Sequence, residues 1–218
     1  MLDFSKYNMI SEIEDNELYC YQHFLMDDYL RNKDISSILN ISILLTHPLI
    51  GDYYESVRIL KSAFDESKSI KIAILGAYLM NEWIFDESNY FIGYLAEYIN
   101  TLKDNKLKSI IFYLIGLDDV KHDYRNKARE SFDKSIEFGP EYVCNYLQKA
   151  SLSNLQEREN LLAIAKNNVV KIFTESECSK ISLCEYCDFD NYINEYILGI
   201  TLTEALYNFY FGDSYYEC

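Results

Sequence analysis

The sequence predicts an all-α fold, a right-handed α-α superhelix of about four stacked helix pairs with a helix at each end. Apolar residues recur at helical spacing along most of the 218 residues. Only 2 Pro and 7 Gly are present, which argues against a loop-rich β fold. A helix-turn-helix pattern at residues 109–142 has weaker copies on both sides. We expect one domain over 1–218, with an N-terminal helix at 11–34, a repeat core at 35–168, and an irregular segment and capping helix at 169–218.

Local capping signals place the first two helices. Ser11 is followed by Glu14, a capping box that begins a helix running to about Arg31. Asp34 is suited to cap the next helix. That helix ends before Pro48, because the residue preceding a proline avoids the α region.

A regular interval links the second helices of three successive pairs. Gly51 and Asp52 precede the first of these helices, which has Ser56, Val57, Leu60, Ala63 and Phe64 on one face. Residues at equivalent places lie 36 apart in three series: Ser56, Ile92 and Ala128; Leu60, Ala96 and Phe132; Ala63, Ile99 and Ser135. Stacked repeats require such an interval, because each unit buries its apolar face against its neighbour.

The central pair, residues 109–142, shows the pattern most clearly. Its predicted first face carries Phe112, Ile115, Gly116 and Val120, and its second face Ala128, Phe132, Ser135 and Ile136. A polar break at residues 121–123 separates them, and Gly139 with Pro140 ends the second helix. A glycine inside a helix costs about 1 kcal/mol relative to alanine. We therefore expect a partner helix to approach Gly116 closely, with the small residues Ala128 and Ser135 facing it.

This pattern resembles the tetratricopeptide (TPR) repeat, which has an aromatic residue at place four, glycine at eight, alanine at twenty and phenylalanine at twenty-four. Asp119 departs from it, because the family has a large residue at place eleven. The resemblance implies a concave groove, lined by first helices, in which peptides dock. The outward places of those helices are the predicted partner-binding residues: Met80, Asn81, Tyr113, Leu117, Lys121 and Gln148.

A fourth pair and a terminal helix complete the prediction. The first face of the fourth pair is Val143, Tyr146, Leu147 and Ala150, and the second helix contains Leu161, Leu162 and Ala165. Ser153 with Gln156 forms a capping box between them. Residues 169–173 fit either a helix or a short extended piece. Residues 175–189 look irregular, and a last helix is expected over about 190–211.

The cysteines and histidines indicate no catalytic, metal or cofactor site. Six Cys without regular spacing fit reduced cytoplasmic thiols. Cys184 and Cys187 form a single C-x-x-C downstream of Cys178; structural thiols are favoured, with zinc and redox roles as alternatives. The three histidines, 23, 47 and 122, are scattered, and His122 is expected to be exposed in a turn. The adjacent pairs Asp27–Asp28 and Asp118–Asp119 are expected to be solvated. We expect no enzymatic activity.

The formal net charge of −15 disfavours nucleic acid and anionic membranes and favours a basic protein partner, although acidity also serves solubility. Residues 1–34 and 175–218 hold most of the excess, so two acidic ends flank a nearly balanced middle. No apolar run approaches 18 residues, and the N-terminus lacks the features of a secretory signal. The expected location is the cytoplasm.

The aromatic content also indicates an interaction role. The chain has 21 Tyr, 12 Phe and 1 Trp, and at least one of the neighbours Tyr53 and Tyr54 should point outward. The predicted function is a non-catalytic scaffold that captures a partner protein, in one specific form an immunity-type inhibitor of a basic toxin. The alternative is a chaperone or adaptor that binds a short peptide in the groove. The sequence indicates no oligomeric state.

Overall fold

The structure is a computed structural model that describes residues 15–32, 34–46, 50–84 and 88–175. Its regular elements in these ranges are all helices, as predicted. They are α1 (Asp15–Asn32), α2 (Ile35–Leu45), α3 (Tyr53–Ser67), α4 (Ile70–Trp83), α5 (Ile92–Tyr98) with a 3-10 turn (Ile99–Thr101), α6 (Asn105–Lys121), α7 (Arg125–Phe138), α8 (Val143–Ser151) and α9 (Leu155–Glu175).

The chain divides into two compact units. Unit 1 comprises Met1–Glu97 and Lys180–Tyr192, and unit 2 comprises Tyr98–Ser179 and Ile193–Cys218. Helices α1 to α4 and all of α5 except its last residue, Tyr98, therefore belong to unit 1, and helices α6 to α9 belong to unit 2. The predicted single domain and its internal boundaries near residues 34 and 168 stay predictions. The change of unit between Glu97 and Tyr98 coincides with neither boundary.

Aspartate caps fix the helix starts in unit 1. The Asp34 carboxylate accepts a hydrogen bond from the Ser37 N–H at 2.8 Å, which confirms the predicted cap of α2. The Asp52 carboxylate accepts from the Glu55 N–H at 3.1 Å and begins α3. Gly51 precedes it with a positive φ of 63°, a conformation that favours glycine. The predicted capping box at residues 11–14 and the stop at residues 47–48 lie outside the described residues.

Helix α4 forms the most deeply buried part of unit 1. Every residue of α4 from position 72 to position 81 is buried. Helix α2 packs against α1, α3 and α4, and the Ser56 hydroxyl on α3 donates to the Ser42 carbonyl at 2.8 Å. The predicted face of α3 is confirmed, because all five of its members are buried. The helical spacing in α3 therefore identified its contact surface correctly.

A glycine beside a phenylalanine ring recurs in both units. A Cβ atom added to Gly76 would overlap the ring of Phe91, and one added to Gly116 would overlap the ring of Phe132. Both rings are fully buried. Close approach at Gly116 is confirmed, but the group that fills the space is the Phe132 ring and not the small residues of α7. The missing side chain thus makes room for an aromatic ring, which offsets the cost of a helical glycine.

This contact corrects the predicted 36-residue interval. Phe91 is the counterpart of Phe132 and lies 41 residues before it, whereas Gly76 lies 40 residues before Gly116. Ala96, placed by the interval on the buried face of α5, is exposed, and Ile92 is only half-buried. The reason is that α5 has only seven residues and starts after Phe91, so the large ring enters from the preceding turn.

The predicted contact face of α6 is also corrected. Of its four predicted members only Gly116 is buried, and Val120 is 37% exposed. The buried residues of α6 are Ser109, Ile110, Ile111, Tyr113, Leu114, Gly116 and Leu117. They cover more than one side of the helix, so spacing alone could not select the face. The predicted ends hold, since α6 ends at Lys121 and α7 at Phe138, before Gly139.

The last described pair, α8 and α9, packs around a small apolar cluster. Val143, Tyr146, Ala150, Leu161 and Ala165 form it, with Leu147 and Leu162 alongside, as predicted. The helix cap is Asn154 and not the predicted Ser153: its side-chain oxygen accepts from the Glu157 N–H at 3.0 Å. Helix α9 continues through residues 169–173, which resolves the open alternative in favour of a helix. The predicted final helix lies outside the described residues.

Candidate protein-interaction surface

The residues predicted to line an open groove are mostly inside the protein. Met80 is 0% exposed, and Asn81, Tyr113 and Leu117 are buried. The prediction that these four side chains face outward is wrong, because α4 and α6 are apolar around most of their circumference and are covered accordingly. Lys121 and Gln148 are half-buried, so they keep accessible surface. Partner binding by the six residues stays a prediction.

The predicted groove residues are also divided between the two units. Met80 and Asn81 lie in unit 1, and the other four lie in unit 2. Asn81 has a structural role, since its side-chain oxygen accepts a hydrogen bond from the Asn89 side-chain amide at 2.8 Å. The Asn89 amide also donates to the Ala77 carbonyl at 2.9 Å, which fastens the turn before α5 to helix α4.

An aromatic patch on unit 1 consists of two rings, the half-buried Tyr53 and the exposed Trp83. The rings of Tyr53 and Trp83 stack with centroids 4.3 Å apart and planes 12° apart. Trp83 is 47% exposed and Tyr54 is 61% exposed. The prediction that one of the two tyrosines points outward is confirmed. Exposed Trp and Tyr side chains are typical of protein interfaces, because they offer large contact areas with little conformational freedom to lose.

The local fold brings the aromatic patch together. Asp52 caps α3 and makes Tyr53 its first residue, while Trp83 is the last residue of α4. Only two residues, Lys68 and Ser69, connect the helices, so they run antiparallel and the first turn of α3 lies beside the last turn of α4. Trp83 was missed in the sequence. The available signal was a single tryptophan at the end of an apolar helix.

The part of the chain that contains the aromatic patch carries a surplus of negative charge. Residues 15–97 contain thirteen acidic and six basic side chains. Asp52 and Glu82 immediately precede Tyr53 and Trp83. Burial raises the pKa of the Glu82 carboxyl, and no cation pairs with it within the described part of the chain. Glu55, by contrast, accepts a hydrogen bond from Arg58 at 2.6 Å, which lowers the pKa of Glu55.

Five other rings of the described residues carry a lysine of the chain itself; four of these rings are at least partly exposed, and Phe64 is buried. Distances from the lysine nitrogen to the ring centroid range from 4.7 to 5.9 Å. The five pairs are Lys61 with Tyr90, Lys68 with Phe64, Lys108 with Phe138, Lys127 with Tyr124, and Lys134 with Phe112. Among the described residues, no lysine or arginine lies over the rings of the aromatic patch. The patch differs from these five rings in having no internal cation.

Charges in unit 2 are paired with one another. Arg129 on α7 contacts Glu157 on α9 at 2.7 Å and donates to the Leu152 carbonyl at 3.2 Å. Lys149 on α8 lies between Glu157 and Asp133 and is only 15% exposed. The hydrogen bond from Arg129 lowers the pKa of Glu157. These contacts link three helices through their charged groups and leave those groups little capacity for a partner.

The candidate chemical groups among the described residues of unit 2 are His122, Asp118 and Asp119. His122 is exposed in the turn after α6, as predicted. Asp118 and Asp119 are not solvated as predicted: both are partly buried, and burial raises the pKa of each. Among the described residues no three His, Cys, Asp or Glu side chains are grouped to hold a metal ion. The C-x-x-C at residues 184–187 lies outside those residues.

None of the helices in the described ranges combines the length and apolar character that a membrane span needs.

Comparison with models of known protein families and with curated proteins finds no match. Among solved structures the chain is similar to MamA, residues 41 to the end, from Desulfovibrio magneticus RS-1, with a TM-score of 0.51 and 14% sequence identity. The alignment covers 74% of this chain and 88% of that chain. At this identity the likeness shows the fold alone. MamA is a TPR-like helical repeat protein, so the predicted resemblance is confirmed at the level of the fold, which is all-α and TPR-like.

Proposed function

We propose that this protein acts by binding another protein, and that its partner is basic. The observation that carries the proposal is the exposed stack of Tyr53 and Trp83 in a part of the chain with a surplus of acidic side chains. The TPR-like fold supports the same role, because helical repeats present extended surfaces to other molecules.

Electrostatics and aromatic anchors contribute to different steps of such binding. A net charge of −15 accelerates the encounter with a cationic surface, an effect that falls as salt rises. Tyr and Trp side chains act later, because burying their rings slows dissociation. This combination suits a protein that must capture one partner quickly and hold it.

Within this role, an immunity-type inhibitor that masks a basic toxin is the specific form we favour. The burial of Met80, Asn81, Tyr113 and Leu117 argues for a folded partner on the surface over a peptide in a groove. The alternative, a chaperone or adaptor that grips a short peptide, depends on Lys121 and Gln148, which keep partial exposure.

Affinity capture followed by kinetics tests the proposal. The full chain is immobilised, bound proteins are identified from cells that express it, and the association rate is measured against purified partner at several salt concentrations. We expect a stoichiometric basic protein whose association rate falls at least tenfold between about 20 and 500 mM salt. No stoichiometric protein, or an association rate independent of salt, would contradict the proposal. Binding of isolated peptides in place of the folded protein would favour the alternative.

A further inference from the structure

We propose that the aromatic patch of Tyr53 and Trp83 receives an arginine- or lysine-bearing segment of the partner protein, with the cation placed against the exposed Trp83 ring. This inference rests on the proposed function and adds the location and the chemistry of the contact. Three features of the described residues support it: the absence of an internal cation at these rings, the surplus of acidic side chains in this part of the chain, and the fixed geometry of the stack.

The first feature is the absence of an internal cation at these rings. Elsewhere in the described residues five rings have a lysine nitrogen within 4.7 to 5.9 Å of the centroid. A cation over an aromatic face is attracted by the negative potential of the ring. The rings of the patch have the same capacity, and no described lysine or arginine uses it. A cation from another molecule can therefore take the place that the chain's own lysines occupy elsewhere.

The second feature is charge complementarity. Glu82, next to Trp83 in sequence, is partly buried and has no ion pair within the described residues, and burial raises the pKa of its carboxyl. Asp52, next to Tyr53, is exposed and serves as the cap of α3. Residues 15–97 carry a formal net charge of −7. A cationic side chain is the group that would compensate this surplus, whereas an anionic or purely apolar segment would not.

The third feature is the geometry of the stack. Tyr53 covers one face of the Trp83 indole at 4.3 Å, nearly parallel, while Trp83 retains 47% of its surface. Stacking holds the indole in place, so little side-chain freedom is lost when a ligand binds. A planar guanidinium can stack on such a ring and still form hydrogen bonds to a carboxylate. Arginine should therefore bind better than lysine.

Trp83 is the single tryptophan of the chain, so its fluorescence reports on this site directly. The probe is an acetylated hexa-arginine amide peptide, titrated into the full chain at about 20 mM salt, and a hexa-glutamine peptide is the neutral control. We expect a saturable change in tryptophan emission with the arginine peptide, a weaker one with hexa-lysine, and none with hexa-glutamine.

Two tyrosine variants distinguish binding at this site from general attraction to an acidic protein. Tyr53→Ser removes the ring that stacks on Trp83, and Tyr124→Ser removes an exposed ring in unit 2. Fluorescence anisotropy of a labelled arginine peptide gives both affinities. We expect Tyr53→Ser to weaken binding about fivefold, and Tyr124→Ser to change it less than twofold. Glu82→Gln should also weaken binding, while thermal unfolding shows that the protein has not become less stable.

Several results would overturn the inference. They are no binding of the arginine peptide, binding without a change in Trp83 emission, and equal affinities for the Tyr53→Ser and Tyr124→Ser variants. A natural partner that is captured by the wild type and held equally by Tyr53→Ser would leave the proposed function standing and reject this location. Failure of capture by the wild type rejects the proposed function itself, so the two failures are distinguishable.

Discussion

The two units share one packing device and differ in how they fasten the rest of their helices. Each places a buried phenylalanine ring against a helical glycine, Phe91 on Gly76 in unit 1 and Phe132 on Gly116 in unit 2. Beside this contact, unit 1 has a cluster of edge-to-face rings around Phe64, and unit 2 has a buried polar network around Ser109. The same glycine–phenylalanine contact therefore forms in different surroundings, although the spacing between the two residues differs by one between the units.

Aromatic rings attach the α5 region to α3 in unit 1. Phe64 on α3 meets Tyr90, Phe91 and Tyr94 edge-on, with centroid distances of 4.9 to 6.1 Å. The Tyr94 hydroxyl also donates to the Lys68 carbonyl at the end of α3. Edge-to-face pairs add to the energy of burial. Helix α5 and the turn before it are thus joined to α3 mainly through rings.

Unit 2 is held by a buried polar network. The Ser109 hydroxyl donates to the Ser135 carbonyl at 2.8 Å, and the Ser135 hydroxyl donates to the Ser109 carbonyl at 2.7 Å. The Asn145 amide on α8 donates to the Ser109 hydroxyl at 3.2 Å. These bonds satisfy polar groups that would otherwise be costly to bury.

The formal net charge also differs between the two parts of the chain. Residues 15–97 have a formal net charge of −7, whereas residues 98–175, with eleven acidic and twelve basic side chains, have +1. Unit 2 pairs several of its charges internally, through Arg129, Lys149 and Glu157. The comparison teaches that surplus charge and open aromatic rings occur together in unit 1, and this is why we place partner binding there.

The largest effect is expected when the buried phenylalanine ring of the shared contact is removed. Phe91→Ala and Phe132→Ala should each destabilise the protein by about 3–5 kcal/mol, since both rings are fully buried and leave a cavity. Urea unfolding followed by circular dichroism measures the loss. Tyr124→Ala, at an exposed ring, is the control and should change stability by less than about 0.5 kcal/mol. A loss of stability below about 1 kcal/mol at either phenylalanine would show that the two units do not share this stabilising contact.

Replacing the glycine with alanine tests the same contact by adding a methyl group opposite the ring. Gly76→Ala and Gly116→Ala gain helix propensity but force a methyl group into the ring, whereas Gly93→Ala in α5 meets open space. The first two variants should therefore be less stable than Gly93→Ala by about 1–3 kcal/mol. Thermal or urea unfolding gives the comparison. Equal stability of all three variants would mean that the rings move aside at no cost.

The smallest effects are expected for Glu157 and Glu82, whose pKa values are shifted in opposite directions. Glu157 has a pKa lowered by Arg129, so its stabilising contribution is present above its ordinary pKa and disappears as pH falls through the lowered value. Glu82 has a pKa raised by burial, so it disfavours folding as pH rises through the raised value. At pH 7, Glu157→Gln should lower the melting temperature slightly and Glu82→Gln should raise it. Shifts of the same sign would contradict the assignment.

Local signals predicted several helix ends correctly, although Asn154 and not Ser153 caps α9. Asp34 and Asp52 cap α2 and α3 because a short acceptor side chain reaches the N–H three residues on, a contact that needs no tertiary information. Gly139 ends α7 as expected. The apolar face of α3 was also correct, since that helix is polar on its other side and the spacing is unambiguous.

Faces of helices that are apolar all round could not be predicted in the same way. In α6 Ile110 and Ile111 lie on different sides and both are buried, so the pattern does not choose a single buried side. The error moved Tyr113 and Leu117 to the surface in the prediction, although both are buried. The patch was missed for a related reason: the stacking of Tyr53 and Trp83 depends on how α3 and α4 meet.

The position of Trp83 has a further consequence for experiments on folding. With one indole in unit 1 and none in residues 98–175, emission excited at long wavelength follows the melting of unit 1 by itself. Far-ultraviolet circular dichroism averages over every helix. Coincident curves from the two probes would mean that the units melt as one cooperative block, and separated curves would reveal an intermediate in which only one unit is folded.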